Sequence, residues 1–178
     1  MPISDNIDSF INNSKVNGEF IRWNKPVVYI YITDIVANIS DKNFYYSEIK
    51  HGIDIWNNIL KQSTINLSFL LTDSVNNADI IIHWTKVGRK LEGMCKYLSI
   101  VNKSIKKVSI DIGLENSFSG KNTTNKSIFF VIMHELGHAL GLGHGVDIND
   151  VMYVPHQKNI SIPSENDIYV LKQIYFNS

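Results

Sequence analysis

Residues 134–144, His-Glu-Leu-Gly-His-Ala-Leu-Gly-Leu-Gly-His, constrain this chain more than any other stretch. His134 and His138 are four residues apart, and on an α-helix that spacing puts both side chains on one face, one turn above the other. Two imidazoles so placed can bind one metal ion, and Zn²⁺ takes histidine nitrogen at about 2.0–2.1 Å. A catalytic zinc takes three protein ligands and keeps one position for water. His144 follows His138 by six residues, so it reaches the same metal only if the helix stops and the chain turns back. Gly141 lies between them. Glycine adopts positive φ without steric cost, so it is expected to end the helix there. Glu135 can approach the water from the side without taking a coordination position, and is the candidate general base.

The surrounding pattern suggests what carries this motif. Residues 127–141, SIFFVIMHELGHALG, are almost continuously apolar and read as a helix buried on most sides. In 43–62, Ile49, Ile53, Trp56 and Leu60 form an amphipathic helical stripe. Residues 26–33, 65–71, 79–84, 94–101 and 107–112 are strand candidates, separated by breaks rich in Asn, Ser and Asp. Residues 113–126 read as a loop, and 142–163 have no clear period. A last helix is expected over 164–176, with Ser164 and Asp167 at capping-box spacing and Ile168, Leu171, Ile174 and Tyr175 as its apolar stripe. The order predicts an α+β fold.

The 178 residues suit one domain, residues 1–178, and 44% hydrophobic content is enough for a core. A formal net charge of zero offers no electrostatic case for nucleic acid or an anionic membrane as partner. Lys103, Lys106 and Lys107 are the densest basic group and read as a solvated face. No apolar run reaches the roughly 18–20 residues that span a bilayer. The single cysteine, Cys95, allows no intrachain disulfide and is expected to be a buried or edge thiol. The N-terminal residues lack the pattern of a signal peptide, so the compartment stays open.

The complete pattern H-E-x-x-H-x-x-G-x-x-H resembles that of the metzincin metallopeptidases, which share a methionine-containing turn beneath the zinc. Met152, eight residues after His144 and followed by Tyr153, is placed as in the matrixins, the group that contains the matrix metalloproteinases. Arg22-Trp23-Asn24-Lys25, the helix with Trp56, the stretch Ala78–Ile82 and the last helix also resemble matrixin elements, so the likeness covers roughly 20–176. It implies a twisted mixed sheet of about five strands packed on two long helices, with an N-terminal lobe over about 20–143. A small C-terminal lobe with one helix would follow over about 144–178. The resemblance implies a zinc-dependent endopeptidase, a monomer with one catalytic zinc on His134, His138 and His144, a Met-turn at Met152, and peptide or protein substrates. It also suggests a secreted protein. By the same analogy Gly93, Met94, Cys95 and Lys96 would line the bound peptide as an edge strand, and Tyr153 and Pro155 would shape the neighbouring pocket.

The chain also departs from that pattern. Gly145 stands where matrixins usually carry Ser or Thr, and Pro155 follows Met152 by three residues rather than two. Cys95 matches no cysteine-switch motif. Residues 85–112 lack the His/Asp set of the structural zinc of matrix metalloproteinases, and no motif supports a calcium site. His51, His83 and His156 read as structural or surface residues. Two other readings compete. Glu165 would replace His144 as third ligand in another zinc peptidase class. Alternatively, the chain would be a non-catalytic zinc-binding effector or inhibitor. Residues 1–20 are a candidate cover for the cleft, with Asp5 or Asp8 approaching the metal.

Overall fold

The computed structural model describes residues 3, 5–36, 41–85, 93–114, 125–155, 160 and 162–177, with 125–127 as backbone only. The expected loop thus falls largely outside the described residues, as does His156.

A mixed sheet is built from β3 (Arg22–Trp23), β4 (Val27–Ile32), β5 (Ser68–Leu71), β6 (Ile80–Thr85), β7 (Gly93–Val101) and β8 (Ser104–Gly113). β5, β4, β6 and β8 run parallel in that order. β7 returns antiparallel along the other side of β8, with Gly93 opposite Ile112 and Val101 opposite Ser104. β3 pairs in parallel with the start of β8 through Arg22–Ser104 and Trp23–Ile105. The strands fit this sheet because alternate residues, Val28 and Ile30, Ile80 and Ile82, and Val108, Ile110 and Ile112, are buried on one face.

That face packs on α2 (Lys42–Gln62) and α3 (Asn125–Ala139). Asp41 caps α2 by accepting from Phe44 N–H at 3.1 Å. Ile49, Ile53, Trp56, Ile59 and Leu60 are then buried along one side. Gly52 lets the two helices come close: a Cβ there would lie 2.8 Å from Ile132. Trp56 ties them together by donating from Nε1 to the Met133 carbonyl at 3.0 Å. α4 (Glu165–Phe176) begins with the expected box, in which Asp167 N–H bonds the Ser164 hydroxyl and the Asp167 carboxylate takes Ser164 N–H.

A helix, a hairpin and a further strand, four short elements in all, were not expected from sequence. A short helix, α1 (Ile7–Asn13), leads into a hairpin of β1 (Lys15–Val16) and β2 (Glu19–Phe20). β3 is the further strand. Each is too short for a period to show. Other differences are at edges: β8 begins at Ser104 rather than 107, and β5 begins at Ser68 rather than 65. Ile65 and Leu67 are buried without strand pairing: Ile65 N–H closes the end of α2 on the Leu60 carbonyl, and Leu67 N–H bonds the Ile65 carbonyl. The three lysines act separately: Lys103 pairs with Glu19 at 2.9 Å, Lys107 donates to the Ala78 carbonyl, and Lys106 is exposed. No helix among the described residues is long and apolar enough to cross a membrane.

Candidate active site

The site starts where α3 ends. Gly141 adopts φ +100°. Its N–H bonds the His138 carbonyl at 2.9 Å, and Leu142 N–H bonds the Gly137 carbonyl at 3.1 Å. This pair of bonds around a left-handed residue is the Schellman motif, which satisfies two carbonyls the helix would leave open. A Cβ on Gly141 would lie 2.5 Å from the Ile21 carbonyl oxygen. Position 141 therefore excludes other residues twice, by backbone conformation and by space.

At this elbow, aromatic side chains hold the carbonyls of Ala139 and Leu140 and add a second donor to that of His138. Trp23 Nε1 donates to Ala139 at 2.7 Å, Tyr175 Oη donates to Leu140 at 3.2 Å, and the Tyr97 hydroxyl donates to His138. Those donors come from β3, α4 and β7. Burial raises the Tyr97 and Tyr175 hydroxyls above their ordinary range, so both remain protonated donors.

The turn brings His144 back to His134 and His138, and one ligand atom of each lies within 4.8 Å of the others. His134 is buried, His138 half-buried and His144 exposed. His134 Nδ1 lies 2.9 Å from the Val151 carbonyl, and His138 Nδ1 lies 2.8 Å from the Leu142 carbonyl. A carbonyl only accepts, so each Nδ1 carries the proton and each Nε2 carries the lone pair. That tautomer and the three-nitrogen donor set suit zinc. Among the described residues these histidines are the only such cluster. Glu165 is exposed at the start of α4 and stands outside it, so the reading with Glu165 as third ligand is set aside. Asp5 and Asp8 are also exposed and outside it.

Glu135 is buried beside the histidines. Its Oε2 meets no hydrogen-bond donor among the described residues. Burial pushes the carboxyl up to about 8, the Cys95 backbone N–H pulls it down, and the Asp111 carboxylate pushes it up further. A dication at the imidazoles acts in the opposite direction and favours the charged base. Gly93 makes room for this carboxylate: a Cβ there would lie 2.7 Å from Glu135 Oε1 and 2.5 Å from Val131.

Beneath the site, Met152 is fully buried, and its sulfur would overlap a Cβ on Gly137. Two buried aspartates fold this turn. Asp167 accepts from Val151 N–H at 2.8 Å and Met152 N–H at 3.3 Å. Burial pushes Asp167 up to about 6, the Ser164 and Val151 N–H groups hold it down, and Asp150 raises it. Asp150 accepts from Val146 and Asp147 N–H, the Ser164 hydroxyl and the Asn166 amide. A line of bonds thus runs from Asp167 to His134 through the Val151–Met152 peptide, whose N–H meets Asp167 and whose carbonyl meets His134 Nδ1.

A family model described as Matrixin matches residues 22–176. The chain belongs to the matrixins. With the three-histidine site fit for zinc and Glu135 as catalytic base, it is a matrixin zinc metalloendopeptidase, and a protein substrate follows from that activity. A search of curated proteins found no match. The other sequence-expected residues of this matrixin are placed as follows. Gly93, Met94, Cys95 and Lys96 lie on β7, whose pairing among the described residues is with β8 alone. Lys96 binds Asp111 at 2.8 Å across that pair. Burial pushes the half-buried Cys95 thiol above its usual range. Tyr153 is half-buried and Pro155 exposed. Asp150, Asp167, Trp23, Tyr97 and Tyr175 were missed as site residues. Of these, Asp167 was read only as a capping residue, Tyr175 as part of an apolar stripe and Trp23 as part of a matrixin-like stretch.

Proposed function

We propose that this matrixin holds a stretch of its protein substrate as an added strand along the open side of β7, with the cleft between lobes 20–143 and 144–178 of one catalytic domain. Among the described residues β7 is an edge strand, and it passes over Glu135; this is the observation that carries the reading. An edge strand offers unpaired backbone groups to an extended chain. Met94 and Lys96 are opposite Asp111 and Ser109 on one face of the sheet, so they would meet substrate side chains there. Gly93 would keep the approach low, and Cys95 would position Glu135 through its N–H. Tyr153 and Pro155 would form the wall on the far side of the histidines, and Met152 the packed floor below them.

When bound, zinc supplies Lewis acidity, lowering the pKa of a water and polarising the scissile carbonyl. The chain's own groups do the rest. Glu135 takes the proton from the attacking water and delivers it to the leaving amine. The Nδ1 bonds to Val151 and Leu142 keep the two helical imidazoles in the ligating tautomer. The packing of Val131 and Gly93 around Glu135 limits the water that reaches the base.

A mixed peptide library cut by zinc-loaded protein tests both parts. Glu135→Gln should lower kcat by about 10²–10⁴-fold, the range for loss of a general base. Lys96→Glu should change which side chains are preferred near the cut while leaving zinc content unchanged. An unaltered cleavage profile for Lys96→Glu, or cleavage that survives Glu135→Gln, would remove the corresponding part of the reading.

A further inference from the structure

His134 and His138 each place ring Nδ1 on a backbone carbonyl, and His144 is exposed on the turn after the helix. The backbone on either side of that third ligand is gripped by residues that precede the span matched to the family. Ser14 is buried, and its hydroxyl is used twice, donating to the Phe10 carbonyl at 2.9 Å and accepting from Gly143 N–H at 2.8 Å. Asn13 Nδ2 donates to the His144 carbonyl at 3.0 Å. The approach is close: a Cβ on Gly143 would overlap the Asn13 peptide. Phe10, fully buried in the core, anchors α1 while α1 packs on α4.

We infer that Ser14 and Asn13 are positioning residues for the third zinc ligand, and that α1 forms part of this metal centre rather than a cover over its cleft. The loop from Gly141 to His144 is fixed at one end by the helix and just beyond the other by Gly145 N–H, which bonds the Met152 carbonyl at 2.8 Å. Without the Ser14 and Asn13 grip between those points, at Gly143 N–H and the His144 carbonyl, the imidazole would sample positions away from the other two. Metal ligands held loosely bind more weakly, and loss of an outer partner typically costs about 10–100-fold in affinity. A purely structural role for α1 would destabilise the metal-free and zinc-loaded proteins alike and leave zinc affinity unchanged.

The inference rests on zinc binding at the three histidines, and the test separates the two. Zinc release from the full chain is timed by chelator chase for wild type, Asn13→Ala/Ser14→Ala and Asn12→Ala, alongside denaturation of each metal-free protein. The double variant should release zinc at least about tenfold faster than wild type. Asn12→Ala, whose side chain reaches Lys15 instead, should release it at the wild-type rate. Release within twofold of wild type by the double variant overturns the inference, whatever the metal-free stability does. Should the double variant fail to fold, Asn13→Asp takes its place: it sets a carboxylate against the His144 carbonyl, and unchanged release by it overturns the inference equally. A wild type that takes up no zinc would sink the metal-site reading itself.

Discussion

The helices α2 and α3 end in the same motif and lead to different things. In α2, Thr64 N–H bonds the Lys61 carbonyl at 3.1 Å and Ile65 N–H bonds the Leu60 carbonyl at 3.0 Å. α3 repeats these bonds with Gly141 and Leu142. Yet the left-handed position is threonine in the first, at φ +57°, and glycine in the second, at φ +100°. Thr64 is exposed, so its side chain extends into solvent. Gly141 is buried against the Ile21 carbonyl, because the chain after it must fold back beneath α3 to bring His144 to the metal. The local motif is equally formed in both helices. Its tolerance of a side chain is set by what lies on top of it.

The largest effect should come from giving the two turns the same chemistry. Gly141→Ala adds a side chain in the left-handed region, at roughly 1–2 kcal/mol, and a backbone collision that overpacking data place at about 1–3 kcal/mol. Chemical denaturation should show a loss of about 2–5 kcal/mol, and zinc titration a weakened site. Equal stability to wild type would end the comparison. Next comes Gly137→Ala, inside α3, where the added methyl meets the Met152 sulfur and, at 3.2 Å, Trp56. The gain in helix propensity, about 1 kcal/mol, offsets part of an overpacking cost of about 1–3 kcal/mol. A net loss of stability together with weaker zinc binding is expected.

A third difference between the helices is titratable. α3 buries Glu135 with its carboxyl pushed up to about 8 from 4.5. Between those values the folded metal-free protein holds a proton that the unfolded chain releases, so its stability falls as pH rises from about 5 to about 8. Glu135→Gln removes that titration. Denaturation of both metal-free proteins at several pH values should show the wild type losing more stability than the variant over that window. Parallel curves would mean that Glu135 is not buried in this way. The smallest effect is expected at α2. Thr64→Gly relieves the left-handed strain but loosens the unfolded chain by about 0.4–1 kcal/mol, so stability should move by less than about 1 kcal/mol. Zinc binding should not change.

Much of the site was legible because it is local. Four-residue spacing places His134 and His138 by helix geometry alone, and Gly141 marks the turn by what glycine can adopt. The stripe of α2 and the Ser164/Asp167 box of α4 were readable for the same reason. The short elements α1, β1, β2 and β3 were not. Two-residue strands hold no period, and α1 offers one buried side chain, Phe10.

The sequence by itself determined the ligand set, the base and the helix that carries them, since these follow from spacing along one backbone. Only the tertiary structure decided how the third ligand is kept in place. Trp23, Tyr97 and Tyr175 reach the elbow carbonyls from three elements, Ser14 and Asn13 grip the loop from a fourth, and Asp167 acts on His134 through a peptide group. Hydrogen bonds between groups 16 to 152 residues apart, such as Val151 to Asp167 and Arg22 to the Ile174 carbonyl, leave no periodic trace along the chain. They exist because folding brings a donor to a carbonyl that would otherwise be buried without a partner.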